Sequence, residues 1–206
     1  MIPLNLEPFI FDCEVFAYDW LFVFKNKVTG EYTEIWNDNE AVEQFMTQEP
    51  LLAGFNNKHY DQFILKAVLS GFTPEEIKAV NDFIIVGGHE GWEYAPLRDC
   101  GIFFDQYDLM DDCQMGLSLK AIEAHLGMDI RETTVPFNID RPLTEDEKRE
   151  VEFYCRHDVD ATDRLDDLRQ GYLSSKLTLG REKGLYPAKA LYMTNAKLTA
   201  AYLDAE

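Results

Sequence analysis

The sequence predicts an α/β protein: a mixed sheet assembled from strands near the start of the chain, with helices packed on it. Three observations predict it. Residues 9–36 hold three apolar, β-prone runs separated by turn signals. After residue 37, short apolar runs alternate with segments of helical periodicity. A long helix, opened by the capping box Thr144-Glu145-Asp146-Glu147, follows.

The first strand is expected over residues 9–16, Phe-Ile-Phe-Asp-Cys-Glu-Val-Phe, a dense apolar run interrupted by two acids. Residues 18–25 form a second apolar stretch. Asn26 to Gly30 is a turn, and residues 31–36 alternate again, which gives three antiparallel strands in a meander. Asn37, Asp38 and Asn39 are candidate caps for a short helix through about Gln48. Residues 51–55 read as a buried strand, and Phe63, Ile64, Ala67 and Val68 as a helix stopping at Gly71. Thr73-Pro74-Glu75-Glu76 starts another helix, expected to reach about Phe83. Residues 86–100, with Gly87, Gly88, Gly91, Trp92 and Pro96, read as a hairpin or flap, or as a plain surface loop. A last strand is expected over 102–107. Ser118 and Gly127 bracket a helix carrying Leu119, Ile122 and Leu126. The long helix from Thr144 is expected to reach Tyr172. The composition shifts from Ser174, and residues 187–206 suggest one further helix.

Composition bounds the function. At 206 residues, 46% hydrophobic and 13% aromatic, the chain has material for one cored domain, or one domain with an appendage. No apolar run approaches membrane-spanning length, and no secretory signal opens the chain. Cys13, Cys100, Cys113 and Cys155 are scattered, which argues against a disulfide framework or zinc site and fits a reducing cytoplasm. A net charge of −19 excludes a broad basic nucleic-acid surface. It leaves an enzyme that grips a few nucleotides through metal ions, an acidic interaction module, or a DNA mimic.

The acids are informative as a set. On a strand, Asp12 and Glu14 share a face. Two like charges about 4 Å apart in a partly buried site repel by roughly 4 kcal/mol. A wet strand end, a bound proton or a cation can offset that. Asp61 stands at a helix start, where an acid complements the helix dipole, and Asn56 is an ordinary turn residue. Tyr154 and Asp158, four apart, share a helix face. Singly, each has a bland explanation. Together, four clustered carboxylates cannot all stay ionised without cations, and hard oxygen ligands select magnesium or manganese.

The arrangement resembles the DEDD superfamily of 3′–5′ exonucleases, in its Tyr-containing branch, as found in the N-terminal proofreading part of phage and other DNA polymerases. Phe11-Asp12-Cys13-Glu14 is similar to the first motif, Asp-x-Glu. Asn56 with Tyr60-Asp61 is similar to the second, and Tyr154-x3-Asp158 to the third. The His branch needs His-x4-Asp, whereas Thr162 stands at that distance from His157. Leu117-Ser118-Leu119-Lys120 through Gly127 resembles the helix preceding the third motif, and the likeness spans roughly residues 8–170.

The resemblance implies a ribonuclease H-like fold, with a five-stranded mixed sheet and helices on both faces. It implies two Mg2+ ions, replaceable by Mn2+. Asp12, Glu14 and Asp158 would hold one, Asp12 would bridge to the second, and Asp61 would support that second ion. Tyr154 would orient the attacking water. Asn56 would contact the DNA end or support the site, and Phe55 and Tyr60 are either aromatic contacts or core. The expected substrate is a single-stranded DNA 3′ end, with RNA as the alternative, in the cytoplasm (the host's, for a phage protein). The expected organisation is a nuclease domain over 1–175 and a helical extension over 176–206. That extension either packs back or begins a polymerase domain, a partner that could supply DNA affinity.

Overall fold

The computed structural model describes residues 8–113 and 116–204. Its centre is a five-stranded mixed sheet in the order β3-β2-β1-β4-β5. The strands are β1 (Phe9–Val15), β2 (Trp20–Asn26), β3 (Tyr32–Trp36), β4 (Leu52–Gly54) and β5 (Gln106–Asp108). The first three form the antiparallel meander, in which Asp12 lies opposite Val23 and Glu14 opposite Leu21. β4 and β5 join parallel, with Ile10 against Ala53 and Gly54 against Asp108. Helices cover both faces, the arrangement expected of a ribonuclease H-like fold.

Alternation along β1 divides the core. Phe11, Cys13 and Val15 join Phe22, Phe24 and Leu52 beneath α1 (Asn39–Met46), α2 (Asp61–Leu69) and α3 (Pro74–Ile85). Ile10 faces the other way, with Leu21, Val23 and Ala53 against the long helix of residues 145–182. Asp12 and Glu14 share that second face. Stacked rings tighten the first core: the Phe24 and Phe45 centroids lie 4.1 Å apart, and those of Phe22 and Phe24 5.7 Å.

Helix starts follow the predicted caps. Asp38 accepts from Ala41 N at the head of α1, and Thr73 with Glu76 completes the capping box of α3. α2 begins at Asp61, the helix start expected of it. The segment 86–100 is neither hairpin nor bare loop. It contains a single 3-10 turn, Gly91–Glu93, and a short helix α4 (Ala95–Arg98). Pro96 stands within the first turn of α4, where a missing N–H costs nothing. Gly91 packs on a buried aromatic ring: an added Cβ would lie 2.2 Å from Phe63. Gly91→Ala is therefore expected to destabilise the protein by about 1–3 kcal/mol, read as a lower urea midpoint with an unchanged slope.

β5 is shorter than its apolar pattern suggests. Pairing starts where Leu52 N donates to Asp105 O at 2.9 Å, and Phe103, 89% exposed, lies outside the ladder. α5 (Leu119–Leu126) is capped by Ser118 and closed by Gly127 at φ 68°. α6 (Glu145–Glu182) runs ten residues beyond the expected end at Tyr172. Its last turns are held by α7 (Pro187–Tyr192) and α8 (Asn195–Leu203), which replace the single helix expected over 187–206. Residues 205 and 206 of that expectation lie outside the described residues. At Gly180 the helices meet so closely that a Cβ would stand 2.4 Å from that of Ala190. Lys176, buried, donates to Leu191 O at 2.7 Å and Met193 O at 2.6 Å, and burial pulls its ammonium down to about 8. The extension thus packs back on α6 and β5.

Much of the negative charge is structural. Lys25 of β2 and Lys27, just past its end, meet Asp160, Asp163, Asp166 and Asp167 of α6 at 2.6–3.0 Å. Tyr107 donates to the fully buried Asp166 at 2.8 Å. This ladder fixes the rotation of α6 on the sheet, and with it the side on which residues 154 and 158 emerge. Among the described residues no helix is long and apolar enough to cross a membrane.

Candidate active site

β1 delivers two carboxylates to the α6 face of the sheet. Asp12 is partly exposed and Glu14 buried. One oxygen of each lies within 4.8 Å of the other and of Cys155 Sγ, so these three side chains could hold a metal ion. Cys155 donates weakly to Asp12 Oδ2 at 3.5 Å. Burial and the carboxylates of Asp12 and Glu14 push its thiol well up, so at neutral pH it is a proton donor, not a thiolate ligand. The carboxylate oxygens of Asp12 and Glu14 are therefore the ready ligand atoms of this set.

Asp61 reaches the same strand from the opposite face. The first turn of α2 places it against β1, where it accepts from Cys13 Sγ at 3.2 Å. Burial raises its carboxyl to about 7, against help from Cys13 and backbone N–H groups, and Asp108 adds repulsion. Asp158, on α6 and buried, faces Glu14 and Asp12. Burial is the first cause of the raised Asp12 and Glu14 carboxyls. Asp61 then leads for Asp12, and Asp158 for Glu14. The four acids picked out in the sequence thus form one electrostatically coupled group, although Asp61 and Asp158 lie outside the tight Asp12–Glu14–Cys155 set.

Tyr154 stands beside Asp158 on the same helix face. Burial, Asp158 and Glu14 raise its phenol far above the usual range, and it shares a hydrogen bond with Asp158. It therefore stays protonated at neutral pH, as a hydrogen-bonding group rather than a base. Phe55 is half-buried against the α6-side core. Tyr60 packs on the opposite core, and its hydroxyl donates to Asn81 at 2.7 Å. Asn56 holds φ 65°, and its backbone N–H donates to Asp108 Oδ1 at 2.8 Å. Asp108 also accepts from Lys58 N and Met110 N, so one buried carboxylate shapes the whole 56–61 turn that aims Asp61.

Several participants escaped the sequence reading. Lys120 of α5 is ion-paired with Asp158, lies 3.6 Å from Glu123, and sits 4.9 Å from the Tyr154 ring centroid. It is the cation that the chain itself supplies to the cluster. Glu123 is fully buried, with His157 Nε2 also 3.6 Å from its Oε1. Cys13 and Cys155 lie inside the motifs but lack metal-ligand spacing, and only the fold brings Cys13 to Asp61 and Cys155 to Asp12. Beside Glu14 opens a cavity of about 380 Å3, lined by Cys13, Tyr60, Ile85, Val86 and Phe137.

No family model, curated protein or solved structure matches the chain.

Proposed function

We propose that this protein is a metal-dependent 3′–5′ exonuclease of the Tyr-containing DEDD kind, acting on single-stranded or frayed DNA ends. One observation carries the reading. Three motifs distant in sequence bring Asp12, Glu14, Asp61 and Asp158 together, burial raises the carboxyls of Asp12, Glu14 and Asp61, and Tyr154 shares a hydrogen bond with Asp158. A structural ion network would surround such acids with Lys and Arg, as at Lys25 and Lys27. Here Lys120 is the cation at hand. A group of carboxylates this poorly compensated is suited to hold divalent ions.

Asp12, Glu14 and Asp158 would hold one ion, and Asp12 with Asp61 a second. Such ions, when bound, lower the pKa of water and neutralise charge on the scissile phosphate and leaving oxygen. Tyr154 keeps its proton and holds the attacking water by hydrogen bonding. The cavity beside Glu14 offers Ile85, Val86 and Phe137 to the terminal nucleobase, an apolar grip that tolerates any sequence. Tyr154→Phe is expected to lower kcat about 100-fold with KM nearly unchanged, because the hydroxyl acts on the water rather than on binding. Digestion of matched 5′-labelled DNA and RNA strands, with magnesium and with EDTA, tests the activity and fixes the sugar. A proofreading role would place a polymerase domain or subunit beside this chain.

A further inference from the structure

A second concave surface, lined by none of the four acids, lies between α2 and α7. The groove between α2 and α7 encloses about 370 Å3 and is lined by Lys66, Phe103, Tyr186, Lys189 and Tyr192, with Asp105 at its floor. Three features set it apart. Phe103 is 89% exposed, Tyr186 64% and Tyr192 47%, a concentration of bare rings in a chain whose other aromatics largely fill the core. Lys66 and Lys189 pair with no carboxylate among the described residues, in a protein of net charge −19 whose Lys25, Lys27, Lys58 and Lys120 are all matched to acids. The acid in the groove is engaged: Asp105 shares a hydrogen bond with the Tyr186 hydroxyl. The ammonium of Lys58 lies 4.3 Å from the Tyr192 ring centroid, which steadies that ring in its exposed position.

Lysines without carboxylate partners (Lys66 rests over the Phe63 ring, 5.4 Å from its centroid) interleaved with exposed rings match one ligand chemistry, a flexible anion bearing flat bases. Protein interface cores are depleted in lysine, so a protein partner suits the groove less well. We infer that the α2–α7 groove is a second binding surface for single-stranded nucleic acid, holding the strand through Lys66 and Lys189 and stacking bases on Phe103, Tyr186 and Tyr192. Gln62, next in sequence to Asp61, also lines the groove, so the strand-binding surface adjoins the helix start that carries the acid. The inference rests on the nuclease reading for its choice of ligand class. It explains how a strongly acidic chain holds its substrate without a broad basic face.

The test is fluorescence anisotropy with a labelled oligothymidylate of about twelve nucleotides, titrated with the intact chain in EDTA so that nothing is cleaved. Phe103→Ala and the double variant Lys66→Gln/Lys189→Gln are each expected to weaken binding about tenfold. The double variant also lowers the slope of log affinity against log salt by roughly 1.4. Phe103 and Lys189 are solvent-facing, and an unchanged circular dichroism spectrum confirms that the variants fold. Equal affinity of all variants overturns the inference. So does a probe displaced as readily by thymidine 5′-monophosphate as by unlabelled strand. Groove-dependent binding by a chain that never digests DNA would overturn the nuclease reading alone, and magnesium-dependent digestion with groove-independent binding would overturn the groove alone.

Discussion

Asp12→Asn is expected to abolish hydrolysis and, in the absence of metal, to raise the stability of the fold. The two effects have one origin. Asp12 is pressed by burial, by Asp61, by Glu14 and by Asp158, and its direct partner is the weak Cys155 thiol. An asparagine keeps the shape and removes a charge that destabilises the metal-free protein. The gain at pH 8 should be about 1–3 kcal/mol, the size of a single poorly compensated buried charge after relaxation. The same substitution removes the carboxylate shared by both proposed ion positions, so activity should fall by at least about 1000-fold. Asp158→Asn should behave differently. It also ends activity, but it strips Lys120 of its ion pair and so gains no stability. Thermal melts in EDTA, alongside digestion assays, separate the two variants.

The stability of the metal-free protein should fall as the solution becomes more alkaline. Asp61 has a folded-state carboxyl near 7 against an ordinary value of 3.8. A group raised in the folded state binds its proton more tightly there than when unfolded. Its contribution is therefore fully present below about pH 4 and is lost as pH rises through about 7. For Asp61 alone the loss amounts to about 4 kcal/mol, and the raised Asp12 and Glu14 carboxyls act in the same direction. Saturating magnesium should reverse the sign, because ion binding requires the carboxylates deprotonated and grows stronger as they ionise. Urea midpoints measured from pH 5 to 9, with EDTA and with magnesium, should give two curves that diverge as pH rises. Parallel curves would contradict an ion-binding role for these acids. Asp61→Asn should flatten the EDTA curve.

How much of this was legible in the chain depends on the range of the interaction. The strand-first order, the meander and the caps at Asp38, Thr73, Ser118 and Thr144 are local, and the structure has them where the residues imply. Asp12 with Glu14, and Tyr154 with Asp158, were legible as same-face pairs because strand and helix periods place them so, whereas Asp61 stood out by its place at a helix start and by the resemblance. What escaped depends on distant partners. α6 outruns its apolar pattern because Leu173, Lys176 and Gly180 meet helices that return from the far end of the chain. β5 starts late because hydrogen bonding to β4, rather than apolarity, decides where a strand begins. Segment 86–100 owes its short helix to packing of Gly91 and Leu97 on the buried core. Lys120 and Asp108 look like ordinary helix and strand-end residues until the fold sets one on Asp158 and the other under the 56–61 turn.

The charge that first seemed to oppose nucleic-acid work divides into parts with different roles. Asp160, Asp163, Asp166 and Asp167 bind α6 to the end of β2 and the turn after it through two lysines, which offset much of their charge. Asp12, Glu14, Asp61 and Asp158 form the candidate ion site, where divalent cations would invert the local sign.

The most direct measurement is digestion of a 5′-labelled single strand by the intact chain, compared with Asp12→Asn, with magnesium and with EDTA. The account predicts a ladder of products shortened from the 3′ end, formed only by the unaltered chain and only with magnesium. Digestion that is equal in the two proteins, or that persists in EDTA, would contradict it.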